Sequence, residues 1–189
     1  MSALTALRFI SVEEYLAGEE SSDVKHEYVG GAVYAMAGTT RTHNTIGGNL
    51  HGELRTHLRG GPCQAYTNDV KVRLLIRGED LFYYPDVMVG CDPRDTDEHF
   101  LRFPKLIVEV LSPSTERLDR REKFWSYLTI PTLEEYVLIA QESPAATIHR
   151  RRTDWQPETV IGVDSTLHLE SVGLSLPLRV LYENVRGLA

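Results

Sequence analysis

Cysteine is scarce in this chain, with only Cys63 and Cys91 among 189 residues. Two cysteines exclude a disulfide-rich scaffold and a cysteine-rich zinc site, so a reduced protein is expected. The chain also lacks an apolar stretch long enough to span a bilayer. Its first segment, MSALTALRFISVEEYLAGEE, turns acidic too early for a secretory signal. We therefore expect a cytoplasmic protein with no membrane contact.

Positive charge is in deficit as well. The chain has 20 Lys and Arg against 27 Asp and Glu, for a net charge of -7. This balance argues against a protein that coats nucleic acid non-specifically, but it leaves room for an enzyme with one local basic surface. Internal repeats, low-complexity segments and Gly/Ser linkers are also missing. Residues 1–189 are therefore expected to form a single domain.

Helix signals and strand signals alternate along the chain. The capping box Ser11-Val12-Glu13-Glu14 predicts a short helix to about Leu16. Apolar residues four apart predict an amphipathic helix over 40–59. The predicted strands are HEYV and AVYAM around Gly30-Gly31, CQAYTNDVKVRLLI, LFYYPDVMVGC, KLIVEVL, EEYVLIA, and the edge strands TIHRRR and HLESVGL. This order predicts a mixed α/β (α+β) fold.

Two of these apolar strands each carry one acid, Asp86 in YYPDVMV and Glu109 in KLIVEVL. A buried carboxylate is costly unless something positive satisfies it. If the strands are neighbours, side-chain alternation lets both acids enter one pocket, where they repel unless a cation lies between them. Hard oxygen ligands favour Mg²⁺ or Mn²⁺. The alternative is that each acid makes a surface salt bridge at a strand end.

The segment after Glu109 predicts a helix that Ser114 or Thr115 caps and that runs to about Leu128. The first turns of this helix would lie near the C-terminal end of the strand. Lys123 could then reach over the carboxylates, where it could orient or deprotonate water or stabilise negative charge. Alternatively, Lys123 belongs to a solvated helix face with weak salt bridges. Spacing alone does not decide between the two.

Three further residues are weaker candidates. Glu27 begins the first hairpin strand, where an acid at a strand end is expected to pair with Lys25 or Arg41. His43 lies near a helix start, where a histidine caps, packs, or contacts phosphate and handles protons. Lys71 either points toward the pocket or stays at an exposed strand position, which we favour.

The basic run His149-Arg150-Arg151-Arg152 could contact DNA phosphates. On an edge strand, however, such a run more simply prevents edge-to-edge pairing, and we favour that role. Trp125 is expected in the core and Trp155 at a half-buried position, rather than as base-stacking platforms.

These motifs in their order resemble the Uma family, which is classed with restriction endonucleases in the PD-(D/E)xK nuclease superfamily. The resemblance runs from Ser11 to the end of the chain. It rests on KHEYVGGAVYAMAG, a helix carrying THN, YPDV, LIVEVLSPST and DRREKFWSYL. It implies a restriction-endonuclease-like core, with a mixed central β-sheet flanked by helices, and a metal-dependent phosphodiesterase.

The resemblance also implies a set of site residues. The superfamily lysine normally stands two residues after the strand acid, where this chain has Leu111. Families similar to this one carry it on the following helix, so Lys123 takes that place, with His43 beside the site. The implied ligands of Mg²⁺ or Mn²⁺ are Glu27, Asp86, Glu109 and the main-chain carbonyl of Val110.

The expected reaction is therefore hydrolysis of DNA phosphodiester bonds by a magnesium-dependent endonuclease. Cutting both strands with so small an enzyme predicts a homodimer. A different class of function stays open, namely a catalytically silent DNA-binding or protein-interaction module that retains the nuclease fold. A third possibility is an interaction unit of a toxin or mobile-element system.

Overall fold

The structure is a computed structural model that describes residues 9–112, 119–185 and 187. Its first elements are helix α1 (Val12–Ser21), strands β1 (His26–Val29) and β2 (Ala32–Ala35), and helix α2 (Arg41–His57). The capping box predicted for α1 is present, but the helix runs beyond Leu16 to Ser21. The predicted hairpin forms because Gly30 and Gly31 both adopt positive φ, which costs glycine little.

The middle of the chain supplies six strands and a broken helix. The strands are β3 (Gln64–Thr67), β4 (Lys71–Ile76), β5 (Glu79–Tyr83), β6 (Val87–Gly90), β7 (Phe100–Leu101) and β8 (Pro104–Leu111). A π-helical turn (Asp119–Lys123) then leads into helix α3 (Phe124–Tyr127). The predicted caps Ser114 and Thr115 lie outside the described residues. The described part of this helix is therefore not the regular α-helix that we predicted.

The remaining elements close the fold. They are β9 (Glu135–Ala140), β10 (Ala145–Arg150), β11 (Pro157–Ile161), β12 (Thr166–Leu169), β13 (Leu174–Pro177) and α4 (Leu178–Leu181). Among the described residues, no helix is both long enough and apolar enough to cross a membrane.

Two principal sheets organise the molecule. The first has the strand order β2-β1-β5-β4-β7, and the second has the order β11-β10-β9-β8-β6-β3. Strand β8 is central in the second sheet, antiparallel to β6 and parallel to β9. As predicted, its nearly all-apolar run is covered on both faces. Valines of β6 and β8 pack with α2, whereas Met88 and Ile107 pack with α3 and residues of the first sheet. The fold is thus mixed α/β, with helices flanking a mixed central sheet.

Two runs that we predicted as single strands are each divided between the sheets. CQAYTNDVKVRLLI becomes β3 and β4, and LFYYPDVMVGC becomes β5 and β6. The first run turns at Asn68-Asp69, which favour turns. The second breaks at Pro85, which lacks the N–H that a continuing ladder would need.

Three side-chain predictions were wrong. Strand β10 is not an edge strand, because it pairs with both β9 and β11. Its Arg150 is buried, and the Nε atom donates to Glu135 at 2.8 Å, so it does not guard an edge. Trp125 is 69% exposed rather than in the core. Cys63 and Cys91 form a disulfide beside the paired residues Gln64 and Gly90, where free thiols were expected.

Candidate metal-dependent active site

Asp86 occupies the bend between β5 and β6, one residue before β6 begins. Its predicted mid-strand position is therefore wrong, because Pro85 ends the extended run first. The carboxylate nevertheless turns toward β8, where its Oδ2 accepts a hydrogen bond from the Val110 N–H at 2.7 Å. Asp86 thus extends β6 by one position alongside its neighbouring strand β8.

Glu109 lies within β8 and is only 3% exposed. Val87 pairs with Val108, so Asp86 comes beside Glu109 at the next position of the ladder. The Asp86 N–H donates to Glu109 Oε2 at 3.3 Å. The prediction that the two acids come from neighbouring strand segments is confirmed, with Asp86 placed at the strand's entrance.

Tyr127 provides the second hydrogen bond to Glu109, from its hydroxyl to Oε1 at 2.9 Å. Burial raises the pKa of Tyr127 well above its ordinary value, and the Glu109 carboxylate raises it further. The hydroxyl therefore keeps its proton and acts as a donor. This bond holds the Glu109 side chain against α3.

Lys123 lies over the acids and is 5% exposed. Its Nζ is 2.8 Å from Glu27 Oε1 and 3.6 Å from Glu109 Oε1. The same ammonium lies 5.5 Å from the centre of the Tyr83 ring. The structure thus brings Glu27 and Lys123 together, and neither Lys25 nor Arg41 is the described partner of Glu27.

His43 reaches the same site from the first turn of α2. The Thr40 hydroxyl accepts from the His43 N–H at 3.1 Å, which is the usual way to cap a helix start. The His43 side chain is mostly buried, and its Nε2 lies 3.1 Å from Asp86 Oδ2. Asp86 is therefore contacted from α2 as well as from β8.

Lys71 lies elsewhere, in a separate buried polar cluster, and not at the exposed strand position that we favoured. Its Nζ is 3.4 Å from the Tyr84 hydroxyl, which donates to Glu19 Oε2 at 2.7 Å. Glu19 Oε1 is also 2.7 Å from His26 Nδ1. The sequence does not indicate this cluster, because Glu19 follows the predicted end of α1 and belongs to no motif.

The oxygen atoms gathered around Asp86 and Glu109 are suitable ligands for a hard divalent cation. The N–H and C=O of one residue in an extended strand point to the same side, so the Val110 carbonyl faces the Asp86 side of β8. The buried Glu27 Oε1 accepts no well-aligned hydrogen bond among the described residues, although it is ion-paired with Lys123. Carboxylate and carbonyl oxygens are the ligands that Mg²⁺ and Mn²⁺ prefer.

The described residues contain no group of three or more His, Cys, Asp and Glu side chains arranged as metal ligands. Mg²⁺ commonly takes one or two carboxylates and keeps several waters, so a smaller protein ligand set is compatible with it. Asp86, Glu109 and the Val110 carbonyl match that pattern. Whether Glu27 joins them stays a prediction, because its carboxylate contacts Lys123.

The chain matches the family model Uma2, described as "Putative restriction endonuclease", over residues 12–179. The chain belongs to this family. An uncharacterized Synechocystis protein, slr1290, is 39% identical to this Uma2 chain over 183 residues, 95% of this chain and 93% of the relative. A second uncharacterized Synechocystis protein, sll1609, is 35% identical over 144 residues, 75% of this chain and 80% of that one.

A solved structure shares the fold of this Uma2 chain. It is the crystal structure of a putative nuclease belonging to DUF820 from Anabaena variabilis, with a TM-score of 0.75 and 17% identity. The match covers 92% of this chain and 98% of that one. The fold is therefore the restriction-endonuclease-like fold that we predicted.

Proposed function

We propose that this protein is a metal-dependent endonuclease that hydrolyses DNA phosphodiester bonds. The observation that carries the proposal is the meeting of Asp86, Glu109 and Lys123 in one cluster of side chains, from three separate segments. Buried acids beside a buried ammonium, in a protein of this family, are best explained by phosphate chemistry at a metal ion.

Asp86, Glu109 and the Val110 carbonyl would hold Mg²⁺ or Mn²⁺, with Glu27 as a further candidate ligand. A bound divalent cation supplies Lewis acidity at a phosphoryl oxygen and makes its water more acidic. The protein residues position the ligands and act on the water and the phosphate. Tyr127 and the Asp86 N–H hold Glu109 in place, and His43 holds Asp86. Lys123 orients the attacking water and stabilises charge on the phosphate.

The test is plasmid nicking in Mg²⁺ or Mn²⁺ by the wild type and by Asp86→Asn and Lys123→Met. We expect each variant to lose at least about a hundredfold in rate, in the range found when a positioned acid–base group is removed. Glu134→Gln and Lys105→Met are matched controls, because these residues form a separate, partly exposed ion pair. The Lys105 Nζ lies 3.4 Å from Glu134 Oε1, and neither residue belongs to the cluster of Asp86, Glu109 and Lys123. Equal nicking by all five proteins, with folding verified by circular dichroism, would exclude this site.

A homodimer is part of the same proposal. One site cuts one strand, so cleavage of a duplex by this enzyme calls for two copies. Sedimentation of the DNA-bound protein tests this, with a dimer expected and a monomer contradicting it.

A silent module is the second candidate function, and one observation favours it. Lys123 is already ion-paired with Glu27 and lies near Glu109. Its ammonium therefore partly compensates the negative charge of these two carboxylates without any metal. Such a module would bind DNA or a protein without cleaving. Metal titration separates the candidates, because the module predicts no saturable binding of Mn²⁺.

A further inference from the structure

Tyr34 lies on β2 directly opposite Glu27 in the antiparallel ladder. Directly opposed residues place their side chains on the same face of a sheet, with Cβ atoms about 4.5–5.5 Å apart. Val29, two residues after Glu27 and on the same face, packs against the core that contains Tyr83 and Tyr127. Tyr34 is therefore on the face of the first sheet that carries the Glu27–Lys123 contact.

Tyr34 differs from Glu27 in exposure. It is 58% exposed, whereas Glu27 is 9% exposed. Strand β2 is at the end of its sheet, so Tyr34 lies at the outer border of the sheet face that carries Glu27. Natural edge strands are commonly protected by charge or proline, but β2 has the sequence Ala-Val-Tyr-Ala. Tyr34 is therefore a large, mostly exposed ring on an edge strand that neither charge nor proline protects.

A nucleobase is the ligand that this position suits. A phosphodiester bound at Asp86 and Glu109 would bring its neighbouring sugars and bases toward the outer border of this sheet face. Aromatic side chains stack on any base, because every base has a π face. Trp125 is also exposed, at 69%, but it lies two residues after Lys123, and side chains two apart on a helix do not share a face.

We propose that Tyr34 stacks on a nucleobase beside the phosphodiester held at Asp86 and Glu109, and that the site takes strands with an unpaired base there. The inference rests on the proposed function for the location of the phosphodiester. A base inside a duplex stacks on its neighbours, so Tyr34 selects single strands, frayed ends or distorted duplexes.

The experiment measures binding of a single-stranded mixed-sequence oligonucleotide to the wild type, Tyr34→Ala, Tyr34→Phe and Val33→Ala. Val33 is the matched control, because it is on the same edge strand, is 39% exposed and faces the other side of the sheet. We expect Tyr34→Ala to weaken binding roughly tenfold to a hundredfold, from the usual strength of one stacked base. Tyr34→Phe and Val33→Ala should bind as the wild type does.

An abasic site moved along the oligonucleotide makes the test specific to a base. At one position of the abasic site, the missing base should abolish the difference in affinity between the wild type and Tyr34→Ala. Three outcomes would overturn the inference: an equal difference on every abasic oligonucleotide, an equal loss in Val33→Ala, or a change of oligomeric state in Tyr34→Ala, which would mean that a second copy covers the ring.

Plasmid cleavage by the same preparations separates this inference from the proposed function. Cleavage that is unaffected in Tyr34→Ala, with unchanged oligonucleotide binding, keeps the nuclease and discards the role of Tyr34. A Tyr34-dependent, base-dependent affinity without any cleavage keeps the stacking contact in a silent module and discards the nuclease.

Discussion

Glu109 is a carboxylate in the middle of an apolar strand, and its neighbours explain why the fold tolerates it. A buried charge is strongly destabilising unless hydrogen bonds and an opposite charge compensate it. Glu109 accepts from Tyr127 and from the Asp86 N–H, and the Lys123 ammonium is 3.6 Å away. The acid is therefore built into the core rather than placed at a surface salt bridge.

Removing one of these donors should show how much the fold depends on them. In Tyr127→Phe the ring stays but Glu109 loses a hydrogen bond, so we expect the free energy of unfolding to fall by about 1–3 kcal/mol. Urea denaturation measures this. Tyr66→Phe is the control, because its hydroxyl donates to Gln64 at the surface and its loss should cost less than about 0.5 kcal/mol. Equal losses in the two variants would contradict this account of Glu109.

Glu19 ties three elements together behind the site. It belongs to α1, contacts His26 of β1, and accepts from Tyr84 in the link that carries Asp86. Burial alone would raise the pKa of Glu19, but hydrogen bonds from Tyr84 and His26 outweigh it, so that pKa is lowered. The charged form of Glu19 therefore stabilises the arrangement of the elements that carry Glu27 and Asp86.

The sign of this shift predicts a pH dependence. Because the pKa is lower in the folded chain, the stabilisation is present above the ordinary pKa of 4.5 and is lost as pH falls through the folded value. Glu19→Gln should therefore be less stable than the wild type near neutral pH. The difference in the free energy of unfolding between the two proteins should narrow below about pH 4.5. Unfolding free energies measured across this range test it, and a gap that is constant with pH would exclude a charge-dependent role.

Elements with strong local signals could be predicted, and those set by long-range contacts could not. The α1 capping box, the Gly30-Gly31 hairpin and the central strand KLIVEVL follow from local chemistry. The splitting of CQAYTNDVKVRLLI and LFYYPDVMVGC between sheets does not, because periodicity states which residues share a face and not which sheet receives them. The π-helical turn before Lys123 likewise has no periodic signal.

At the scale of the molecule, the candidate site lies where the two principal sheets meet. Glu27 comes from the first sheet, Glu109 from the second, and Asp86 from the link between them. Sequence patterns marked Asp86 and Glu109 because both interrupt apolar runs, and side-chain alternation allowed them to meet if their strands were neighbours. The family resemblance placed Glu27 and Lys123 at one site, but their contact was found only in the structure, since it joins residues that are far apart in sequence.

The most direct test of the central claim is calorimetric titration of the metal-free protein with Mn²⁺. The claim is that Asp86 and Glu109 hold a divalent ion between the ends of β6 and β8. We predict saturable binding to the wild type and to Glu134→Gln, and loss of that binding in Asp86→Asn and Glu109→Gln. Equal binding by all four proteins, or no saturable binding to the folded wild type, would contradict the claim.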